Sequence, residues 1–161
     1  MIEMTNKIGI VVSEFNYDIT YMMSKKAMEH ASLLGLEVKW LVKVPGVYDM
    51  PLAVKKLLQD KDLKGVAVLG AVIKGETKHD ELIINQSVRK ILDLSDQFDK
   101  PVTLGIVGPG ATHDQAVDRV DEYSSRAIEA LAKMLIKIDE ISKGNGVHRD
   151  LMTIRIMISY S

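Results

Sequence analysis

Gly75-Glu76-Thr77 stands directly ahead of a helical pattern that begins near His79. Amide groups and the dipole at a helix N-terminus favour an anion, so this triplet can hold a phosphate or a carboxylate. Plain capping by Thr77 explains the same residues, and the two roles are compatible. His79 can transfer protons near neutral pH, although a lone loop histidine is more often simply solvated. Phe15 is one of two phenylalanines and lies on a polar loop. It can stack on a planar ring or staple onto the helix that follows, and pattern alone does not separate the two. Arg119, early in the last helical pattern, reads by itself as a surface arginine beside Asp118 or Glu122.

Four apolar runs and four helical patterns must position these residues. The runs are Lys7 to Ser13, Glu37 to Val44, Gly65 to Gly70 and Val102 to Val107. Apolar residues at helical spacing follow each run, over Ile19 to Leu34, Met50 to Gln59, His79 to Asp96 and Thr112 to Ile141. Gly35 fits a helix C-cap, Asp49 an N-cap and Pro51 a first turn. Thr77 with Asp80, and Thr112 with Gln115, have capping-box spacing. The stripe of the last helix is Val117, Val120, Ala127, Leu131, Leu135 and Ile138. Apolar strands separated by helices predict a parallel sheet covered on both faces. The expected fold class is α/β: a three-layer α/β/α sandwich with a four-stranded parallel sheet and flavodoxin-like topology. Residues 1–141 make one domain. The tail, 142–161, falls outside the scheme. Its Leu151 to Tyr160 looks like a strand that adds to a sheet edge, contacts another subunit, or serves no function.

Composition narrows the function. The chain has 161 residues, 47% hydrophobic and 27% charged, with a formal net charge of -1. That balance suits one globular core and lacks the basic field of nucleic-acid binders. With no cysteine, disulfides, thiolate metal sites and a cysteine nucleophile are excluded. No run approaches a membrane span, and the first residues lack a signal pattern. A soluble cytoplasmic protein with no membrane partner is the expectation.

Ligands of open parallel sheets bind outside the carboxyl ends of the strands. Here that means Ser13 to Asp18, Val44 to Asp49, Gly70 to His79, and Val107 to His113. The first of these loops has no glycine, so a dinucleotide fingerprint is absent. There is no phosphate-binding Gly-Lys-Ser/Thr loop and no Gly-x-Ser-x-Gly elbow. The four histidines have no metal-ligand spacing.

The four loops together resemble the lumazine synthase family. The matching residues are Glu14-Phe15-Asn16, Val44-Pro45-Gly46-Val47-Tyr48-Asp49-Met50-Pro51 and Gly70-Ala71-Val72-Ile73-Lys74-Gly75-Glu76-Thr77-Lys78-His79-Asp80. Pro101 to Ile106, Asp114-Gln115-Ala116 and Arg119 complete the set, which spans about Lys7 to Ile141. Gly108-Pro109-Gly110 looks like the archaeal branch. The resemblance implies condensation of 5-amino-6-(D-ribitylamino)uracil with 3,4-dihydroxy-2-butanone 4-phosphate. The product is 6,7-dimethyl-8-ribityllumazine, with phosphate and water released and neither cofactor nor metal required.

The resemblance also implies roles. Phe15 stacks on the uracil, and Asn16 orients the loop. Val47, Tyr48 and Asp49 line the ribityl chain, and Gly46 is a further substrate-binding residue. Ala71, Val72 and Ile73 offer backbone groups to the pyrimidine. Gly75, Glu76 and Thr77 hold the phosphate, completed by Arg119 of the adjoining subunit. His79 transfers protons. Many family members carry serine, an aromatic and glutamate where this chain has Val47, Tyr48 and Asp49. Leu104 stands where many have a phenylalanine that closes the pocket from the neighbour. A family lysine has no counterpart unless Arg126 serves across a one-residue gap. The family forms pentamers, in many members twelve of them in an icosahedral shell, so a homo-oligomer with sites between subunits is implied.

Three other readings predict different chemistry. An archaeal-type riboflavin synthase dismutates the lumazine and needs no phosphate site. A flavodoxin-type binding module wants a hydroxyl-rich first loop. A shell-forming storage protein assembles without turnover.

Overall fold

The computed structural model describes residues 6–75 and 78–144. In chain order the elements are β1 (Lys7–Ser13), α1 (Tyr17–Leu33), β2 (Glu37–Val44), a single 3-10 turn (Val47–Asp49) and α2 (Met50–Leu58). Then come β3 (Leu63–Ile73), α3 (His79–Phe98), β4 (Val102–Ala111), α4 (His113–Asp118) and α5 (Val120–Ser142). The sheet runs β2-β1-β3-β4 with every pairing parallel. The predicted four-stranded parallel sheet is therefore present, with helices on both sides.

Strand periodicity divides the core in two. Ile8, Ile10 and Val12 of β1 and Ala67, Leu69 and Ala71 of β3 face the side where α1 and α5 pack. Val11 of β1 and Val66 and Val68 of β3 face the α2 and α3 side. Gly35, at φ 72°, sits in the left-handed region just beyond α1, as a helix-terminating glycine does.

Several expectations are corrected. β2 is an edge strand whose Trp40 and Leu41 are exposed, so the sheet is not covered on both faces there. β4 does not end at Val107; it continues through Gly108-Pro109-Gly110 because Ala111 still pairs with Ile73. β3 likewise extends to Ile73 rather than stopping at Gly70. The last helix is two, broken at Arg119, whose amide bonds back to Ala116 and Val117. Val117 and Ile138 of the expected stripe are exposed, while Ala116, Val120, Ala127, Ile128, Leu131 and Leu135 are buried. The Thr112–Gln115 capping box is formed in both directions, at 3.2 and 3.0 Å. Thr77 of the other capping box, the first residues 1–5 and the tail strand of Leu151 to Tyr160 lie outside the described residues.

At the amino end of the sheet Asp60 joins three elements. Its carboxylate accepts from Lys39 Nζ at 2.7 Å and Trp40 Nε1 at 3.1 Å. Its carbonyl accepts from Lys100 Nζ at 2.8 Å. The Lys39 ammonium holds the Asp60 carboxyl at about 2, below the usual carboxylate range.

Candidate active site at the carboxyl edge of the sheet

A cleft of about 520 Å³ opens at the carboxyl ends of β1 and β3. β1 delivers Ser13 to its wall, and the following loop delivers Phe15 and Asn16. Two backbone bonds tie this loop to the next one: Glu14 N to Val44 O at 2.8 Å and Phe15 N to Pro45 O at 3.1 Å. Asn16 adopts φ 61°, ψ 52°, a left-handed conformation that asparagine tolerates better than most residues. Its Nδ2 donates to Ala71 O at 2.9 Å, fastening the loop to β3. Phe15 remains 74% exposed, so it does not staple onto α1, and its residue borders the cleft.

The second loop supplies Gly46, Val47 and Tyr48. Tyr48 is 75% exposed, giving the mouth a second free aromatic ring. Asp49 does not cap α2 with its side chain, nor does it line the cleft. Its Oδ2 accepts from Gly46 N at 3.0 Å, which closes the 3-10 turn on itself. β3 contributes Ala71, Val72 and Ile73, then Lys74 and Gly75. Lys74 N donates to Ala111 O at 2.8 Å, holding this stretch against β4. Gly108, at φ 101°, packs so closely on β3 that a Cβ there would collide with the Val72 carbonyl.

Gly75 approaches the start of α3, where the Asp80 carboxylate lies against it. Glu76 and Thr77 are outside the described residues. His79 is the first residue of α3 and is exposed, but it is not on the cleft wall. Leu104 is exposed near the start of β4, opposite Val68. Arg119 is exposed at the break between α4 and α5. Arg126 is exposed on α5 and ion-paired to Glu122 at 2.8 Å. One chain thus gathers Phe15, Asn16, Gly46, Val47, Tyr48, Ala71, Val72, Ile73 and Gly75 around the cleft. It does not gather Asp49, His79, Leu104, Arg119 or Arg126.

Four cleft residues were given no site role from the sequence: Ser13 and Lys74, although they fall in the loops expected to border a ligand, Asp80, and Ile83. Ser13 is 1% exposed, and its Oγ has no hydrogen-bond partner among the described residues. A polar residue closing an otherwise apolar strand was the available signal. Near the cleft, His113 Nε2 and Asp18 Oδ2 approach to 2.6 Å and join α4 to α1. This hydrogen bond raises the His113 pKa from 6.5 and lowers that of Asp18 from 3.8. Among the described residues no cluster of three or more metal-ligating side chains occurs. No described helix is long and apolar enough to cross a membrane.

The sequence profile of 6,7-dimethyl-8-ribityllumazine synthase matches residues 5–138. A 6,7-dimethyl-8-ribityllumazine synthase of Saccharolobus solfataricus is 58% identical over 146 residues, covering 89% of this chain and 95% of the relative. One from Staphylothermus marinus is 60% identical over 129 residues, covering 80% and 86% respectively. One from Metallosphaera sedula is 55% identical over 139 residues, covering 86% and 92%. With most of its length matched at this identity, the chain belongs to the 6,7-dimethyl-8-ribityllumazine synthase family, whose activity serves riboflavin biosynthesis.

Proposed function

We propose that the cleft at the ends of β1 and β3 is where this chain performs the lumazine synthase reaction. The observation that carries this is the exposed Phe15 ring, fixed by Asn16 to the very strand whose backbone borders the cleft. A flat pyrimidine laid on Phe15 would bring its polar edge to the Ala71–Ile73 backbone. The Ala71 carbonyl already accepts from Asn16, which holds the Phe15 loop at this backbone edge. The ribityl chain would extend along Val47 and Tyr48. The phosphate of 3,4-dihydroxy-2-butanone 4-phosphate would lie at Gly75, Glu76 and Thr77, ahead of α3.

In this reading the pyrimidine amine forms an imine with the ketone, releasing water. Phosphate is then eliminated, and the ribitylamino nitrogen closes the ring with loss of further water. The chain acts mainly by holding two substrates in reacting geometry, which turns a bimolecular encounter into an intramolecular step. His79 relays protons during elimination and closure. Arg119 and Leu104, both exposed and away from their own chain's cleft, serve the cleft of a neighbouring subunit. The guanidinium fork of Arg119 suits the phosphate. Arg126 stands in for the missing lysine. The assembly is a homopentamer, alone or in an icosahedral shell, working in the cytoplasm on small molecules.

The test is an absorbance assay of purified protein with both substrates, beside a second tube holding the lumazine alone. Lumazine formation above the uncatalysed rate, slowed about 10²-fold by His79→Ala, with no riboflavin in the second tube, is the expected result. Riboflavin in the second tube would move the reaction to the dismutation. Wild-type turnover in His79→Ala would remove the histidine from proton transfer.

A further inference from the structure

We propose that Ser13 is a substrate-positioning residue whose hydroxyl hydrogen-bonds the ribityl side chain of the pyrimidine substrate. This rests on the cleft being the site of condensation.

The hydroxyl is buried, borders the cleft and has no partner among the described residues. Buried polar groups are nearly always satisfied, and the exceptions in native proteins often mark function. A Cβ built on Gly70 would meet Ser13 Oγ at 2.9 Å, Met50 Cε at 3.2 Å and Val47 Cγ2 at 3.3 Å. Glycine at 70 therefore leaves the space that the hydroxyl occupies. Val47 and Met50 offer no hydrogen-bonding side chain at this point, so Ser13 supplies a side-chain hydroxyl that neither of them can.

Position selects the ligand end. Val12 pairs with Leu69, which sets Ser13 level with Gly70. β3 then runs on to Ile73 before Gly75 is reached, about 10 Å at 3.3 Å per residue. Ser13 is thus at the opposite end of the cleft from the anion-binding loop. A neutral hydroxyl that both donates and accepts matches a polyol hydroxyl.

The experiment compares full-length wild type, Ser13→Ala and Phe15→Ala by calorimetric titration with the ribitylamino-pyrimidine. An analogue bearing methylamino in place of ribitylamino is titrated in parallel. Ser13→Ala is expected to weaken the ribityl compound about three- to tenfold, the range of one hydrogen bond. It should leave the analogue and the KM of the phosphorylated ketone unchanged, with no fall in the unfolding midpoint. Unchanged affinity for the ribityl compound would overturn the proposal, leaving the hydroxyl to a buried water. An equal loss with the analogue, or a lower midpoint without an affinity change, would also overturn it. If Phe15→Ala weakens binding and Ser13→Ala does not, the site stands and the role of Ser13 falls. If neither does, the site itself falls.

Discussion

Replacing Asn16 by alanine removes two supports at once. The first is the Nδ2 bond to Ala71 O at 2.9 Å, worth about 0.5–1.5 kcal/mol net. The second is asparagine's tolerance of φ 61°; a Cβ-bearing residue without a local polar side chain costs about 1–2 kcal/mol there. The sum is about 1.5–3.5 kcal/mol. Asn16→Gly loses the same bond but meets no barrier at positive φ. Its cost is that bond plus about 0.4–1 kcal/mol of extra freedom in the unfolded chain. Stability should therefore fall in the order Asn, Gly, Ala. Urea unfolding of the three proteins at equal concentration measures it, with the slope checked for constancy. Because Asn16 also fastens the Phe15 loop to β3, both variants should bind the pyrimidine more weakly than the phosphorylated ketone. An alanine variant as stable as wild type, or more stable than the glycine variant, would refute the reasoning.

Two further outcomes are expected. Arg119→Ala should raise the KM for the phosphorylated ketone with little change for the pyrimidine, because one phosphate ligand is lost; steady-state kinetics decides, and an unchanged value removes Arg119 from the site. The His113–Asp18 tie has a defined pH window. His113 titrates above 6.5 when folded, so its contribution is complete below 6.5 and is lost as pH rises through the raised value. Asp18 titrates below 3.8 when folded, so its contribution is present above 3.8 and is lost as pH falls through the lowered value. In Asp18→Asn the His113 pKa, followed by NMR titration, should drop back toward 6.5; no change would dismiss the pair.

The layered fold was legible because β1 and β3 are buried on both faces and so appear as continuous apolar runs. β2 was grouped with them, yet its Glu37, Lys39 and Lys43 interrupt the apolar residues and Trp40 and Leu41 are exposed at an edge; those charges mark an edge strand. Gly108-Pro109-Gly110 is turn chemistry by any local rule, and only the pairing of Ala111 with Ile73 shows that the strand continues. The break at Arg119 left no trace because Ala116 and Val120, four apart, are both buried across it. Among cleft residues, the loops were readable through their polar and glycine-rich composition. Asp80 was read as half of a capping box and as the end of the third-loop motif, with no site role, and Ile83 only as helix. Asp49 looked like a cap or a ligand, and its carboxylate is occupied by Gly46 N. Leu104 and Arg126 came from resemblance alone, whereas His79 and Arg119 were singled out locally with a plain solvated reading beside each, and a single chain does not bring any of the four to the cleft.

The Asp60 junction lies at the amino end of the sheet, while the cleft occupies the opposite edge. Lys39, Trp40 and Lys100 converge there on one residue, and none of them borders the cleft. Adaptation can therefore proceed in the loops while that anchor is conserved. Directed evolution toward altered polyol or pyrimidine substrates should confine its randomised codons to the carboxyl edge and leave Asp60 and its partners fixed.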